Sequence, residues 1–271
     1  MNISELTRKR PYEDSDEELF EKPKTYAPAM TKPEPSIFGI TPNQDLLRVL
    51  SDFIIKHMSS PGLEIEAKLG TLIDKNTKKR ITLPVMCETV LMQDQSWLRF
   101  ESCMTLKQHA HFNHILNQRT QETNKPRYTG HKILYKHTKE VDRFYTGESE
   151  KVRVTTDKET SQVLSLSVPQ GDPMMERQKD RVSYKHEIFS FDLTQVTVPA
   201  EKPRINPYAT GPPPKTPEPK LIHELEIEIA DPKRLFDEKN LFIKNSNNHF
   251  NDMVQSFLNN MKVLAKSAPP P

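Results

Sequence analysis

Apolar residues repeat at helical spacing near both ends of the chain and alternate with polar residues, at a period of two, through its middle. Leu46, Leu47, Leu50, Phe53, Ile54 and Met58 predict a helix behind Thr41-Pro42-Asn43-Gln44, where Thr caps, Pro suits the first position and Gln closes a capping box. Leu106, His109, Phe112, Ile115 and Leu116 predict a second helix over 105–120, and 233–265 reads as helical after Asp231-Pro232. Alternation predicts strands at 63–70, 133–138, 141–145, 151–155, 177–184, 189–196 and 223–229, while 80–104 reads as mixed strand and loop. The outcome is an α+β chain, mainly antiparallel β, with a few packed helices.

Two of these strands are unusual. In 63–70, Glu64 and Glu66 share one face and Leu63, Ile65 and Ala67 the other. In 223–229, Glu224, Glu226 and Glu228 oppose Leu225, Ile227 and Ile229. Glutamate is depleted in strands. Two such charges about 5 Å apart repel by roughly 3 kcal/mol at an effective dielectric near 20. With no cation between the acids on their own face, such rows imply an external positive charge. An all-oxygen donor set suits Mg²⁺ or Mn²⁺. Arg177, Lys179 and Arg181 share a face and form a basic row to set against the acids. Charged rows on single strand faces fit the inside of a closed barrel. His109, His111 and His114 are read as surface or core histidines, since the first two cannot share a helix face.

Composition narrows the picture. The 271 residues carry a net charge of +2, so bulk attraction to polyanions does not follow from charge. There are 23 Pro against 7 Gly, which suggests a folded core with Pro-rich irregular stretches. Residues 1–38 read as a disordered arm, 39–266 as the folded domain, 199–220 as a Pro-rich loop and 267–271 as a Pro-rich tail. Two cysteines make a disulfide framework unlike this chain. No secretory leader and no run long enough to cross a membrane are read from the sequence. Arg8-Lys9-Arg10-Pro11 is a candidate nuclear-import cluster.

The paired Glu-x-Glu rows, together with the block Lys179-Asp180-Arg181-Val182-Ser183-Tyr184 and Asp192-Leu193-Thr194, resemble the fungal-type mRNA-capping RNA 5′-triphosphatases of the triphosphate tunnel metalloenzyme superfamily. The resemblance covers about residues 40–265. It implies an eight-stranded antiparallel tunnel and hydrolysis of the γ-phosphate of 5′-triphosphate RNA, the first step of cap formation. It implies Mg²⁺ or Mn²⁺ held by Glu64, Glu66 and Glu228, with Glu226 holding the water and Glu224 supporting. Arg153, Lys179 and Arg181 would bind phosphate, organised by Asp192. It further implies a nuclear homodimer that works with the RNA guanylyltransferase or the RNA polymerase II machinery.

One departure stands out. Only 155–176 separate Arg153 from Arg177, with 163–168 as the single plausible strand, so the tunnel reads about a hairpin short. The alternatives are a catalytically impaired homologue or shortened isoform that binds triphosphate ends or serves as a partner subunit, a tunnel enzyme acting on inorganic polyphosphate, and a plain β-barrel interaction module.

Overall fold

A computed structural model describes residues 34–38, 45–92, 95–146, 151–158, 171–200 and 218–270. The compact unit spans Asn43–Pro271. The expected Thr41 cap, the arm before residue 34, the strand at 163–168 and most of the Pro-rich loop lie outside the described residues.

The described elements are α1 (Asp45–His57), β1 (Glu66–Lys68), β2 (Thr71–Asp74), β3 (Leu98–Glu101), α2 (Leu106–Thr123), β4 (Leu134–Thr146), β5 (Lys151–Asp157), β6 (Met175–His186), β7 (Phe189–Val198), β8 (Lys220–Ile229), α3 (Pro232–Ile243) and α4 (Phe250–Ser267). Among the described residues they form a six-stranded antiparallel sheet of order β1-β8-β7-β6-β4-β5 and a two-stranded sheet, β2-β3. The mainly antiparallel architecture with helices is as the pattern implied. The eight described strands are split between two sheets, with β1 and β5 at the ends of the larger one.

Three boundaries differ from the sequence reading. The first acidic strand is regular only over three residues, because Gly70 ends it. A Cβ at Gly70 would overlap the Glu101 carbonyl oxygen and the Phe100 ring, so the chain can turn under β3 only without a side chain. Pairing nevertheless runs beyond the strand, with Leu69 N–H donating to Leu225 O and Ile229 N–H to Ile65 O. The segments 133–138 and 141–145 join into the single strand β4, since Lys139 and Glu140 keep the alternation through their join and pair with Asp180 and Lys179. The C-terminal helical region divides at Lys244, and Asn245 takes a positive φ of 52°.

Local chemistry sets the helix starts. Thr105 and Gln108 form a reciprocal capping box on α2. Asp231 accepts from Arg234 N–H ahead of Pro232 in the first turn of α3. The helices cover one face of the sheet. There Leu225, Ile227 and Ile229 are 0% exposed and pack with Leu193, Phe257 and Val254. That apolar face fixes the register, because a one-residue slip in β8 would turn its glutamates into the core. Val196 has the opposite parity to Phe191 and Leu193. It shares its face with Asp192 and Thr194, opposite Lys179, and is buried there.

Candidate active site

Three charged rows, joined by single residues of two further strands, meet on the face of the sheet away from α2 and α4. A cavity of about 320 Å³ is lined by Glu64, Glu66 and Lys68 from the first acidic segment, Glu224, Glu226 and Glu228 from β8, and Arg177, Lys179 and Arg181 from β6. Glu140 of β4 and Thr155 of β5 complete it. Residues from both ends of the sheet order therefore line one space, so the sheet is strongly curled.

Register explains the convergence. Glu66 lies opposite Glu228, and Glu228 opposite Ser190. Lys68 lies opposite Glu226, Glu226 opposite Asp192, and Asp192 opposite Ser183. Glu224 faces Thr194, which faces Arg181. Each row crosses the sheet in one line because side chains of paired residues share a face.

Three cations on the cavity's floor, Lys68, Lys179 and Arg181, have defined counter-charges. Lys68 Nζ stands 2.5 Å from Glu226 Oε1 and 3.3 Å from Glu66 Oε1. Arg181 contacts Asp192 Oδ2 at 3.1 Å and Glu226 Oε2 at 3.7 Å. Lys179 Nζ lies 2.6 Å from Asp142 Oδ2, with Asp142 fully buried. Asp142 also accepts from Thr155 Oγ1 at 2.7 Å, and Asp192 from Ser190 Oγ at 2.7 Å. These second bonds hold the carboxylates that aim Lys179 and Arg181. Arg177 lies 6.0 Å from the centre of the Phe144 ring.

The acids of β8 differ in proton affinity. Burial would raise Glu226, but the Lys68 hydrogen bond and the charges of Lys68, Arg181 and Lys179 outweigh it and hold Glu226 below the ordinary range. Burial raises Glu228, and the neighbouring Asp192 and Glu64 raise it further, with Arg181 the opposing influence. Lys68 is held above its usual value: burial opposes its charge, but Glu226 and the other acids more than compensate.

A family model for the mRNA capping enzyme, beta chain, matches residues 40–168 and 167–270. The chain belongs to this family. It is 30% identical to the mRNA-capping enzyme subunit beta of Schizosaccharomyces pombe, over 91% of this chain and 89% of that one. It is 27% identical to the Cryptococcus neoformans subunit beta, over 86% of this chain and 64% of that one. The solved structure of the S. pombe Pct1 RNA triphosphatase matches with a TM-score of 0.72 and 30% identity, covering 89% of this chain and all of that one. A second structure of that protein, in complex with the Spt5 CTD, matches with the same score. The family match breaks in two at 167–168, within the interval that reads as short. The S. pombe alignment runs over 285 positions, more than the 271 residues of this chain, so it is gapped on this side.

Among the anticipated site residues, Glu64, Glu66, Glu224, Glu226, Glu228, Lys179 and Arg181 line the cavity. Asp192 is buried behind them against Arg181. Arg153 is in β5 opposite Phe144, and its side chain lies outside the described residues. The structure adds Lys68, Asp142 and Glu140. Lys68 also corrects the premise that the acids stand without a cation on their own face: it lies two residues beyond Glu66 and bridges both acidic rows. The period-two rule that grouped Glu64 with Glu66 already placed Lys68 beside them. Asp142 had a similar signal, an acid among Val141, Phe144 and Tyr145 at the same parity as Glu140.

The fit of a divalent ion can be judged from the donors. Glu64, Glu66 and Glu228 supply only oxygen, and Glu228 is half-buried among acids that raise its proton affinity, a surplus of negative charge that a cation relieves. Among the described residues, no three His, Cys, Asp or Glu side chains converge as a ligand cluster. Glu64, Glu66 and Glu228 thus share an all-oxygen chemistry and one cavity without being gathered into a ligand cluster.

Proposed function

We propose that this cavity removes the γ-phosphate from 5′-triphosphate RNA, leaving 5′-diphosphate RNA and phosphate, the first step of 5′ cap formation. The observation that carries the reading is the meeting of acidic and basic rows on one concave face, in a chain of the capping beta-chain family. A triphosphate is a ligand that needs both: cations for its oxygens and carboxylates for the ion that accompanies it.

Glu64, Glu66 and Glu228 would hold Mg²⁺ or Mn²⁺, with Glu224 in support. When bound, such an ion supplies Lewis-acid polarisation of the phosphoryl oxygens. Lys179 and Arg181, with Arg153 added by the family resemblance, would bind the non-bridging oxygens and stabilise the charge that grows there during in-line attack. Asp142 aims Lys179, and Asp192 aims Arg181, which also reaches Glu226. Glu226 is gripped by Lys68, which with the other nearby cations holds it below the ordinary carboxylate range. A carboxylate of low proton affinity is a weak base but a firm hydrogen-bond acceptor, so its role is to orient the attacking water.

Several finer assignments belong to the same proposal. The Spt5 CTD bound to the S. pombe relative supports recruitment by the RNA polymerase II machinery, and the beta-chain family supports a guanylyltransferase partner. A nuclear location suits that chemistry and the Arg8-Lys9-Arg10 cluster. Exposed Val85, Met86, Val90 and Met92 offer apolar surface that a second copy could cover, in keeping with a homodimer. Sedimentation at micromolar concentration should give twice the chain mass.

The direct assay is purified protein with γ-labelled triphosphate RNA and either metal. Release that is abolished by chelator is the expected result. A second reading, end binding without turnover, is favoured by the short 155–176 interval and the divided family match. It predicts saturable binding of triphosphate RNA with no release under either metal.

A further inference from the structure

The basic row of β6 does not stop at the cavity. On the same face as Arg177, Lys179 and Arg181 come Ser183 and then Lys185, spaced by about 6.7 Å, two residues of strand rise. Lys136 of β4 lies opposite Ser183, and Leu134 opposite Lys185. Lys185 itself lies opposite Ser190, which lies opposite Glu228. This group is therefore the rim at the Glu66–Glu228 end of the cavity.

The rim cations differ from three of the four inside, the exception being Arg177, which lies against the Phe144 ring. Lys68, Lys179 and Arg181 are each paired with carboxylates. Lys136 and Lys185 are exposed and have no acidic partner among the described residues. The nearby acid of the β6–β7 turn, Glu187, is engaged by His131 at 3.5 Å. Between the two lysines Leu134 is 65% exposed, an apolar side chain left on a charged face. Unpaired cations in line with phosphate-binding groups, flanking an exposed apolar surface, suit a nucleotide chain: lysines for phosphodiesters, leucine for a ribose or base face.

We propose that Lys136, Leu134 and Lys185 carry the first nucleotides of the RNA behind its triphosphate, and that preference for RNA ends over free nucleotides is built at this rim. This rests on the triphosphatase reading of the cavity. It adds that the polymer leaves past Glu66 and Glu228, along the line of β6, and not past Lys220 at the other end. None of these three residues takes part in hydrolysis; they bind substrate equally in ground and transition states, so they act on KM.

The test compares full-length protein with its K136A/K185A variant on triphosphate RNA and on GTP. The expected outcome is a rise in KM for RNA of roughly ten-fold or more at low salt, with kcat and GTP hydrolysis unchanged and the log–log salt slope of RNA binding reduced by about 1.4 for two lost contacts. K136R/K185R should restore RNA affinity, and L134A should raise the RNA KM by a smaller factor. Equal KM for RNA in the variant and wild type would overturn the proposal, as would equal losses on RNA and GTP. A selective RNA defect in K220A but not in K136A/K185A would place the exit at the opposite end. Binding of triphosphate RNA against GTP by fluorescence anisotropy gives the same comparison without turnover. A chain that releases no phosphate would therefore refute the hydrolase reading alone and still decide the rim.

Discussion

β1 and β8 carry nearly the same sequence pattern and have very different structural lives. β8 runs ten residues between β7 and β1, and its Leu225, Ile227 and Ile229 are sealed under the helices. β1 is regular for three residues at the edge of the described sheet, with Glu66 and Lys68 exposed and Ala67 half-buried. The alternation sets which residues share a face in both. Only partners on both sides and a helix layer make one of them a load-carrying wall of the core, leaving the other free to present its acids and Lys68 to a ligand.

That difference can be tested by truncation. Ile227→Ala removes a fully buried side chain next to Phe191 and should cost about 2–5 kcal/mol in urea unfolding. The equivalent change on the first acidic segment, Ile65→Ala, should cost about 1 kcal/mol, because that site is only half-buried. Equal costs would break the comparison.

The next effect concerns charge balance between the two strands. Lys68→Met leaves Glu66 facing Glu226 and Glu228 without their bridging cation. In chelator it should destabilise the chain by about 1 kcal/mol, the net worth of a partly exposed charged hydrogen bond. Added Mn²⁺ should recover more stability in Lys68→Met than in wild type, since both serve the same acids. Thermal melts with and without metal would show it.

The smallest effect is a sign difference along β8. Glu228 is raised, so its contribution is present below the unfolded carboxylate value near 4.5 and is lost as pH rises through its folded value. Glu226 is lowered, so its contribution is present above the unfolded value and is lost as pH falls through its folded value. In chelator at neutral pH, Glu228→Gln should raise the melting temperature slightly and Glu226→Gln should lower it. Both differences should shrink as the pH approaches 4.

Much of this was legible beforehand. The acidic rows, the basic row at 177–181 and the apolar faces of β7 and β8 follow from parity alone, and parity is what places them on one surface. The extent of β1 was not legible, because Gly70 ends it for a reason found in Phe100 and Glu101, thirty residues away. The unity of β4 was hidden by two charged residues, Lys139 and Glu140, that look like a turn until β6 supplies their partners. Lys68 shares the parity of Glu64 and Glu66, so its place on the acidic face was legible, while its bridge to Glu226 depends on the β1–β8 register. Asp142 needed the structure more: its burial depends on Lys179 and Thr155 arriving from other strands.

The central claim is that the acids of both strands act together on a triphosphate. Phosphate release from γ-labelled triphosphate RNA, measured with Mn²⁺ for wild type and Glu66→Ala, tests it most directly. Metal-dependent release in wild type, falling on the order of 10²-fold in a Glu66→Ala protein that melts like wild type, is the predicted result. Undiminished release from Glu66→Ala would contradict it.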